Sequence, residues 1–284
     1  KDIIKNIIIG YGEMMMKIYA MSDIHGYLKP FEEKMKLVDL SGDNKLILLG
    51  DYIDYGNQSG QVLRYVYDLE QKYGSDKVIV LKGNHEDMLL SWLSECRSLL
   101  RRNVKEDYFF EHQWFLADSG SNLNSFESMV TEEQYKQFCK LARKASRLKL
   151  NTEAARMIME NNGDIISWMK NLRLFYETDN QIFVHAGIDE EAEEFWKTGS
   201  SEEVFLWKYP PVTGLFYRTI IAGHVASGTV AKDKDFHEVF FDGQSHYYID
   251  GTVSVSRRIP LLMIDTDTDK YYQLTEEGKR KIAR

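Results

Sequence analysis

Three short phrases combine carboxylates, an amide and imidazoles at a spacing that suits metal binding: Ser22–Gly26, Gly50–Asp54 and Gly83–Glu86. Each phrase directly follows an apolar run rich in β-branched residues, which is typical of a buried strand. These runs are Ile18–Met21, Leu46–Leu49 and Val78–Leu81. Open α/β sheets bind ligands at the carboxyl ends of their strands. The pattern therefore predicts a metal site at one sheet edge.

Two further histidines follow later predicted strands, in the phrases His185-Ala186-Gly187 and Gly223-His224. One carboxylate, such as that of Asp51, has two oxygens and can bridge two cations. Six side chains are candidate ligands: Asp23, His25, Asp51, Asn84, His185 and His224. Mixed oxygen and nitrogen donors suit Mn, Fe, Zn or Co and match Ca poorly. Two such ions, about 3.5–4 Å apart, can clamp a phosphoryl group during in-line displacement.

Regular spacing between the phrases predicts the elements that position them. Asp23 and Asp51 are 28 residues apart, and Asp51 and Asn84 are 33 apart, close to one βαβ unit each. Apolar residues recur at helical spacing between the strands, from Phe31 with a stop at Gly42 and from Val62 with a stop at Gly74. We also expect an extended backbone to point Asp23 and His25 the same way.

The middle of the chain, from about Glu86 to Leu172, has helical periodicity. Thr131 begins a capping-box sequence and Asp164 is a candidate cap for a last helix. A basic face is predicted on one helix, either as a solvated surface or as a cap over the metal site; it comprises Lys136, Lys140, Arg143, Lys144 and Arg147. Strands are predicted again at Gln181–Val184, Thr219–Ala222, Val239–Phe241, Tyr247–Ile249 and Leu261–Ile264. The predicted fold class is α/β.

Composition limits the function classes. The 284 residues are 43% hydrophobic and 28% charged, with a net charge of -8, which disfavours nonspecific nucleic-acid binding. Two cysteines and no run long enough for a membrane span predict a cytoplasmic protein that does not contact membranes. Residues 1–15 are predicted to be an N-terminal extension. The pattern does not predict an oligomeric state.

Together the ordered motifs resemble the phosphoprotein phosphatase branch of the calcineurin-like metallophosphoesterases. They are most similar to small bacterial and phage Ser/Thr phosphatases and symmetrical dinucleoside tetraphosphatases. The resemblance implies a metallophosphoesterase-type two-sheet β-sandwich flanked by helices, as one domain over 16–284 with a helical insertion at about 90–175.

The resemblance also implies residue roles. Asp23, His25 and Asp51 would hold one metal ion, and Asp51 would share the second with Asn84, His185 and His224. His85 would protonate the leaving oxygen, and Asp54 would orient its imidazole. A neighbouring carboxylate favours the charged imidazolium, which supports this division of labour. Two divalent transition-metal ions are the expected cofactors, with Mn ahead of Fe, Zn and Co.

The chain departs from this family at two phosphate-binding positions. The family phrase continues Asp-Arg-Gly, whereas this chain has Asp54-Tyr55-Gly56, and Lys208 rather than an arginine follows Trp207. Tyrosine cannot supply a charged bidentate fork. Tyr55 and Lys208 are nevertheless the candidate substrate-binding residues. Either Tyr55 is a neutral change in a working phosphatase, or it signals a diester or a bulkier phosphorylated ligand that stacks on the ring.

Three functions follow from these residues. The first is a phosphomonoesterase acting on phosphoproteins or small phosphorylated compounds. The second is a dinucleoside polyphosphate hydrolase, and the third is a catalytically weak protein that binds phosphorylated partners. The aromatic runs Tyr108–Phe110 and Trp114–Phe115 are predicted to be insertion core, and no role is predicted for His112, His237 and His246.

Overall fold

The computed structural model describes residues 16–104, 108–115 and 121–282. The predicted N-terminal extension, residues 1–15, lies outside the described residues. In chain order, the strands are β1 Lys17–Met21, β2 Lys45–Leu48, β3 Val78–Val80, β4 Phe175–Glu177, β5 Gln181–Val184, β6 Thr219–Ala226, β7 Phe240–Phe241, β8 His246–Asp250, β9 Leu261–Asp265, β10 Lys270–Thr275 and β11 Gly278–Ile282.

Within the described residues the strands form two sheets. One has the order β11-β10-β9-β1-β2-β3 and the other has the order β4-β5-β6-β8-β7. β1, β2 and β3 run parallel, so their carboxyl ends lie at the same edge, as the 28- and 33-residue spacings predict. β5, β6 and β8 are also parallel in the second sheet.

Helices cover the remaining surfaces and account for most of the middle of the chain. They are α1 Leu28–Met35, α2 Ser59–Tyr73, α3 Asn84–Arg102, α4 Ser121–Met129, α5 Glu132–Leu141, α6 Arg147–Asn161, α7 Gly163–Met169, α8 Trp196–Gly199, α9 Glu202–Trp207, α10 Ser227–Ala231 and α11 Val253–Ser256. A 3₁₀ segment spans Glu190–Phe195. None of the helices in the described ranges is long and apolar enough to cross a membrane.

Apolar clusters pack against the faces of both sheets. Between the sheets, Ile18, Ile47 and Ile79 of the first pack with Ile221 and Tyr247 of the second. A larger cluster covers the other face of the first sheet with residues of α2, α3 and the helices after α3. The predicted two-sheet sandwich flanked by helices is confirmed, and the strand ends are therefore fixed by packing on both sides.

Several local predictions need correction. α1 ends at Met35, before Gly42, and residues 108–115 are not helical. The predicted basic face does not lie on one helix, because α5 ends at Leu141 and α6 begins at Arg147. Thr131 does form its capping box. Asp164 is not the cap of α7; Asn162 takes that position, and the Asp164 carboxylate pairs with Arg64 at 2.6 Å.

Candidate metal centre

Four of the candidate ligands have a backbone that is unusual for their residue types. Asp23, His25, Asp51 and His224 have φ values of 54°, 48°, 58° and 61°. This left-handed region is uncommon for residues other than glycine, and such residues cluster at functional sites. The expected extended backbone at Asp23 and His25 is therefore wrong. Their side chains converge through tight turns instead.

Asp51 lies at the centre of the cluster. Its Oδ2 is 3.7 Å from Nε2 of His25, and its Oδ1 is 3.5 Å from Nε2 of His185. These separations are too long for hydrogen bonds. They approach the distance of about 3.0–3.5 Å between two ligand atoms that each lie about 2.1 Å from a shared cation. Asp51 has one oxygen toward each side, as a bridging carboxylate requires.

Backbone carbonyls orient two of the imidazoles. Nδ1 of His25 donates to the Ile53 carbonyl (2.8 Å), and Nδ1 of His185 donates to the Leu49 carbonyl (2.8 Å). Each bond leaves Nε2 facing the cluster. Metal-binding histidines are usually held in this way by the ring nitrogen that does not bind the metal.

The contacts of Asn84 also show whether the donor atoms suit a metal ion. Its Oδ1 lies 2.8 Å from Nε2 of His185 and 3.1 Å from Nδ1 of His224. Because His185 already donates through Nδ1, a neutral ring presents only an acceptor to this oxygen. A rotated amide that donates its NH₂ would resolve the contact, and so would a cation between the three atoms. A cation also accounts for the Asp51 separations, so the donor set fits a divalent transition metal.

Burial and the clustered charges shift pKa values around these ligands. Burial lowers the pKa of His224, with a further contribution from the charge of His185, which favours the neutral form that metals bind. Burial alone would lower the pKa of His25, but its contact with Asp23 and the charges of Asp51 and Asp23 raise it to about 10. Burial, followed by the negative charge of Asp23, raises the pKa of Asp250 at the end of β8 to about 8.

His85 and Asp54 form a hydrogen-bonded pair beside the cluster. Nδ1 of His85 lies 2.7 Å from Oδ2 of the fully buried Asp54. With Nδ1 in this bond, Nε2 of His85 faces the cluster and lies 3.9 Å from Oδ2 of Asp51. Burial would lower the pKa of His85, but the Asp51 charge and the Asp54 bond outweigh it and raise the pKa. The pair is arranged to hold a proton at Nε2.

The helical region contributes two hydrogen bonds to Asp54 that the sequence did not predict. Trp114 Nε1 donates to Oδ2 of Asp54 (3.0 Å), and Ser125 Oγ of α4 donates to Oδ1 (2.7 Å). Trp114 was predicted to be only insertion core. It is indeed buried, but its indole also fixes the carboxylate that contacts His85.

Trp114→Phe removes this indole donor and keeps most of the apolar volume. We expect kcat to fall by about 10- to 150-fold, since a hydrogen bond to a charged group contributes roughly 1.5–3 kcal/mol. The loss should be larger with poor leaving groups than with good ones. Steady-state kinetics on aryl phosphates of increasing leaving-group pKa measure it.

Trp92→Phe is the matched control, because Trp92 is equally buried and donates to Asn151 Oδ1 (2.8 Å) instead of to Asp54. That variant should lose stability without a leaving-group-dependent loss of rate. Equal kinetic effects of the two substitutions would contradict a specific role for Trp114.

Glu86 is a second residue whose role the sequence analysis did not assign. Its buried carboxylate accepts the backbone N–H groups of Asp51 (2.9 Å), Tyr52 (2.8 Å) and Gly83 (3.0 Å). Burial, followed by the Asp51 charge, raises its pKa to about 7. A Cβ at Gly83 would overlap the Asp51 carboxylate. Glu86 thus ties two of the three motif turns together, and its position three residues after Gly83 was the available signal.

A cavity of about 420 Å³ opens onto the cluster. Tyr55 and Trp207 line it, with 44% and 41% of their surfaces exposed. The ring of Tyr55 lies 4.8 Å from that of His25, and the ring of Trp207 lies 6.1 Å from that of His224. Tyr55, a candidate substrate-binding residue, therefore lines the cavity beside the candidate ligands.

Lys208 is placed differently from the expectation. It is not among the described residues that line the cavity, and its ammonium group contacts the Ile188 carbonyl and Glu190. Arg218, the other nearby cation in sequence, pairs with Glu177 at 2.7 Å. The structure therefore does not support Lys208 as a phosphate ligand, because its ammonium group is already paired with the Glu190 carboxylate.

Comparisons with known proteins agree with this fold. The model of the calcineurin-like phosphoesterase family matches residues 16–227. The chain belongs to this family. The symmetrical bis(5'-nucleosyl)-tetraphosphatase of Chromobacterium violaceum is 39% identical over 77 residues, 27% of this chain and 26% of that protein. The same enzyme of Wigglesworthia glossinidia brevipalpis is 24% identical over 191 residues, 55% of this chain and 62% of that protein.

Among solved structures, the calcineurin-like chain is similar to a cold-active protein-tyrosine phosphatase of a Shewanella species. The TM-score is 0.51 at 16% identity, covering 95% of this chain and 81% of that one, which shows the shared fold. The chain spans less than two thirds of the length of the curated relatives described above.

A buried ionic cluster lies apart from the candidate ligands, at a histidine to which the sequence assigned no role. His246 Nδ1 contacts Oδ2 of Asp242 (3.0 Å) and the Gly214 carbonyl (3.1 Å), while Nε2 contacts Oε2 of Glu190 (3.1 Å). Both ring nitrogens face acceptors, so both carry protons. Burial opposes the charge, but Glu190 and Asp242 outweigh it and raise the pKa of His246.

His246→Gln should therefore destabilise the protein in a pH-dependent way. A raised pKa in the folded state contributes stability that is fully present below the ordinary histidine pKa of about 6.5 and is lost as pH rises through the folded value. The difference in Tm between wild type and variant should be larger at about pH 6 than at about pH 9. Differential scanning calorimetry measures it, with the exposed His112→Gln as control. An equal difference at both pH values would contradict a charged His246.

Proposed function

We propose that this chain is a metal-dependent phosphoesterase that uses two divalent transition-metal ions to hydrolyse phosphate esters. The observation that carries the proposal is the position of Asp51, with one oxygen toward His25 and the other toward His185, beside the His85–Asp54 pair. Asp23 and His25 would hold one ion with Asp51. Asn84, His185 and His224 would hold the other with it.

The metal ions, when bound, would polarise the phosphoryl oxygens and lower the pKa of the attacking water. The side chains of the protein supply the proton for the leaving group and orient its donor. Asp54 accepts from Nδ1 of His85 and keeps the imidazole protonated, so that Nε2 can give its proton to the leaving oxygen as the P–O bond breaks. Trp114 and Ser125 hold Asp54 in place. The leaving group therefore departs as a neutral alcohol rather than as an alkoxide.

The proposed substrates are phosphorylated proteins or small phosphorylated compounds, with Mn²⁺ as the first metal to test and Fe, Zn or Co as alternatives. A second candidate, hydrolysis of dinucleoside polyphosphates, is favoured by the relatives named as symmetrical tetraphosphatases. Parallel assays with a phosphopeptide and a dinucleoside tetraphosphate distinguish these two substrates. A cytoplasmic location stays part of the proposal.

A generic aryl phosphate assay tests the enzyme itself. Hydrolysis should require added Mn²⁺ and stop after chelation. Tight binding of phosphorylated ligands without turnover, in protein loaded with metal, would instead favour the weak binding protein.

A further inference from the structure

The inference rests on the proposed metal-dependent hydrolysis of phosphate esters, but it points to phosphodiesters rather than to phosphorylated proteins as the esters that the cavity accepts. Beyond the candidate metal ligands and His85, the described residues that line the cavity carry no cationic side chain; they are Tyr55, Met88, Gln113, Trp114, Asn122 and Trp207. The two basic residues that follow Trp207 in the sequence pair with carboxylates: Lys208 with Glu190, and Arg218 with Glu177. No described lysine or arginine is therefore placed to bind a phosphate oxygen that the metal ions leave free.

A cavity whose described lining has no lysine or arginine affects the binding of phosphomonoesters and phosphodiesters differently. A phosphomonoester dianion has three nonbridging oxygens that share two negative charges. A diester has two such oxygens and one negative charge, and an organic group replaces the third. Without a charged fork in the cavity, the third oxygen of a monoester meets neutral side chains. A diester needs no additional cation there.

The cavity also offers aromatic surface that such an organic group could contact. Tyr55 and Trp207 each keep about two fifths of their surface exposed, 44% and 41%, although both are large aromatic residues. Tyr55 contacts His25, a candidate ligand of one metal ion. Trp207 contacts His224, a candidate ligand of the other. The two rings therefore line the same cavity beside different candidate ligands. Exposed aromatic rings bind planar organic groups by stacking or edge contacts.

We propose that Tyr55 and Trp207 form a specificity site for the organic substituents of a singly charged phosphodiester that carries planar aromatic groups. In the reaction, the oxygen of water bonds to phosphorus while the P–O bond to the leaving alcohol breaks. Nε2 of His85 donates its proton to the departing oxygen, and the water gives up a proton to solvent. The products are one alcohol and one phosphomonoester.

Two substrates with the same leaving group test this specificity: bis(4-nitrophenyl) phosphate and 4-nitrophenyl phosphate. With Mn²⁺-loaded wild type, kcat/KM should favour the diester by about tenfold or more. Tyr55→Arg adds a charged donor fork and should lower this ratio by about tenfold or more. Trp207→Ala should lower kcat/KM for the diester more than for the monoester.

Tyr73→Arg is the matched control, because Tyr73 ends α2 away from the cavity and the substitution adds the same charge. It should leave the ratio unchanged. Binding gives a readout independent of turnover. Calorimetric titration of the metal-loaded His85→Asn variant should show tighter binding of diphenyl phosphate than of phenyl phosphate, and Tyr55→Arg in that background should reverse the order.

A wild-type preference for the monoester, or a ratio unmoved by Tyr55→Arg, would overturn the specificity site and leave the proposed phosphoesterase intact. Failure of metal-loaded wild type to hydrolyse either ester would contradict both proposals.

Discussion

Asp51→Asn should abolish hydrolysis and metal binding together. The carboxylate has one oxygen 3.7 Å from Nε2 of His25 and the other 3.5 Å from Nε2 of His185, so its charge serves both proposed metal positions. An amide keeps the shape but offers only one neutral oxygen. We expect kcat to fall by at least about a thousandfold, because metal ions supply several kcal/mol of transition-state stabilisation. Elemental analysis and aryl phosphate kinetics on the same sample measure both effects.

The fold should survive this substitution. The amide oxygen of the variant can still accept the backbone N–H of His85, which is 3.1 Å from Oδ1 of Asp51 in the native chain. Circular dichroism should therefore be unchanged. Asp43→Asn, at an exposed turn, is the control for loss of one charge and should retain full metal content and rate. A folded Asp51→Asn protein with normal metal content would contradict the bridging role.

His85→Asn should separate chemistry from metal binding. His85 contacts Asp54 through Nδ1 and directs Nε2 toward the cluster, but it is not needed as a ligand in the proposed centre. Loss of a general acid costs about 10²- to 10⁴-fold in rate. We expect a loss in this range for alkyl phosphates, a smaller loss for 4-nitrophenyl esters, and unchanged metal content.

The exposed His112 provides the control for this experiment, since His112→Asn removes an imidazole away from the cavity. It should leave both rate and leaving-group dependence unchanged. Should His85→Asn keep the full rate on a poor leaving group, the acid would have to be assigned to another residue. Should it lose metal instead, His85 would join Asp51 and His25 as a ligand, as their mutual distances also permit.

The parts of the fold that the sequence predicts are those encoded by local patterns. Apolar, β-branched runs identify β1, β2, β3 and β5 almost to the residue, because such runs are typical of central strands buried on both faces. The hairpin of β10 and β11 was not predicted. β11 is a polar edge strand, Gly278–Ile282, with almost no apolar alternation to signal it.

The candidate site likewise combines features that local sequence patterns predict with contacts that they do not. Its candidate ligands stand directly after predicted strands. Parallel pairing brings those that follow β1, β2 and β3 to one edge of the first sheet, and His185 and His224 come from the parallel strands β5 and β6 of the second sheet. The contacts of Trp114 and Ser125 with Asp54 join residues 60 and 71 positions apart, which no local pattern encodes. Lys208 was misplaced for a related reason, because the partner that holds its charge, Glu190, lies 18 residues away.

Anomalous diffraction from crystals grown with Mn²⁺ tests the dinuclear centre most directly. The proposal predicts two peaks about 3.5–4 Å apart, with Asp51 between them, Asp23 and His25 at one, and Asn84, His185 and His224 at the other. A single peak, or none in protein that hydrolyses aryl phosphates, would contradict it.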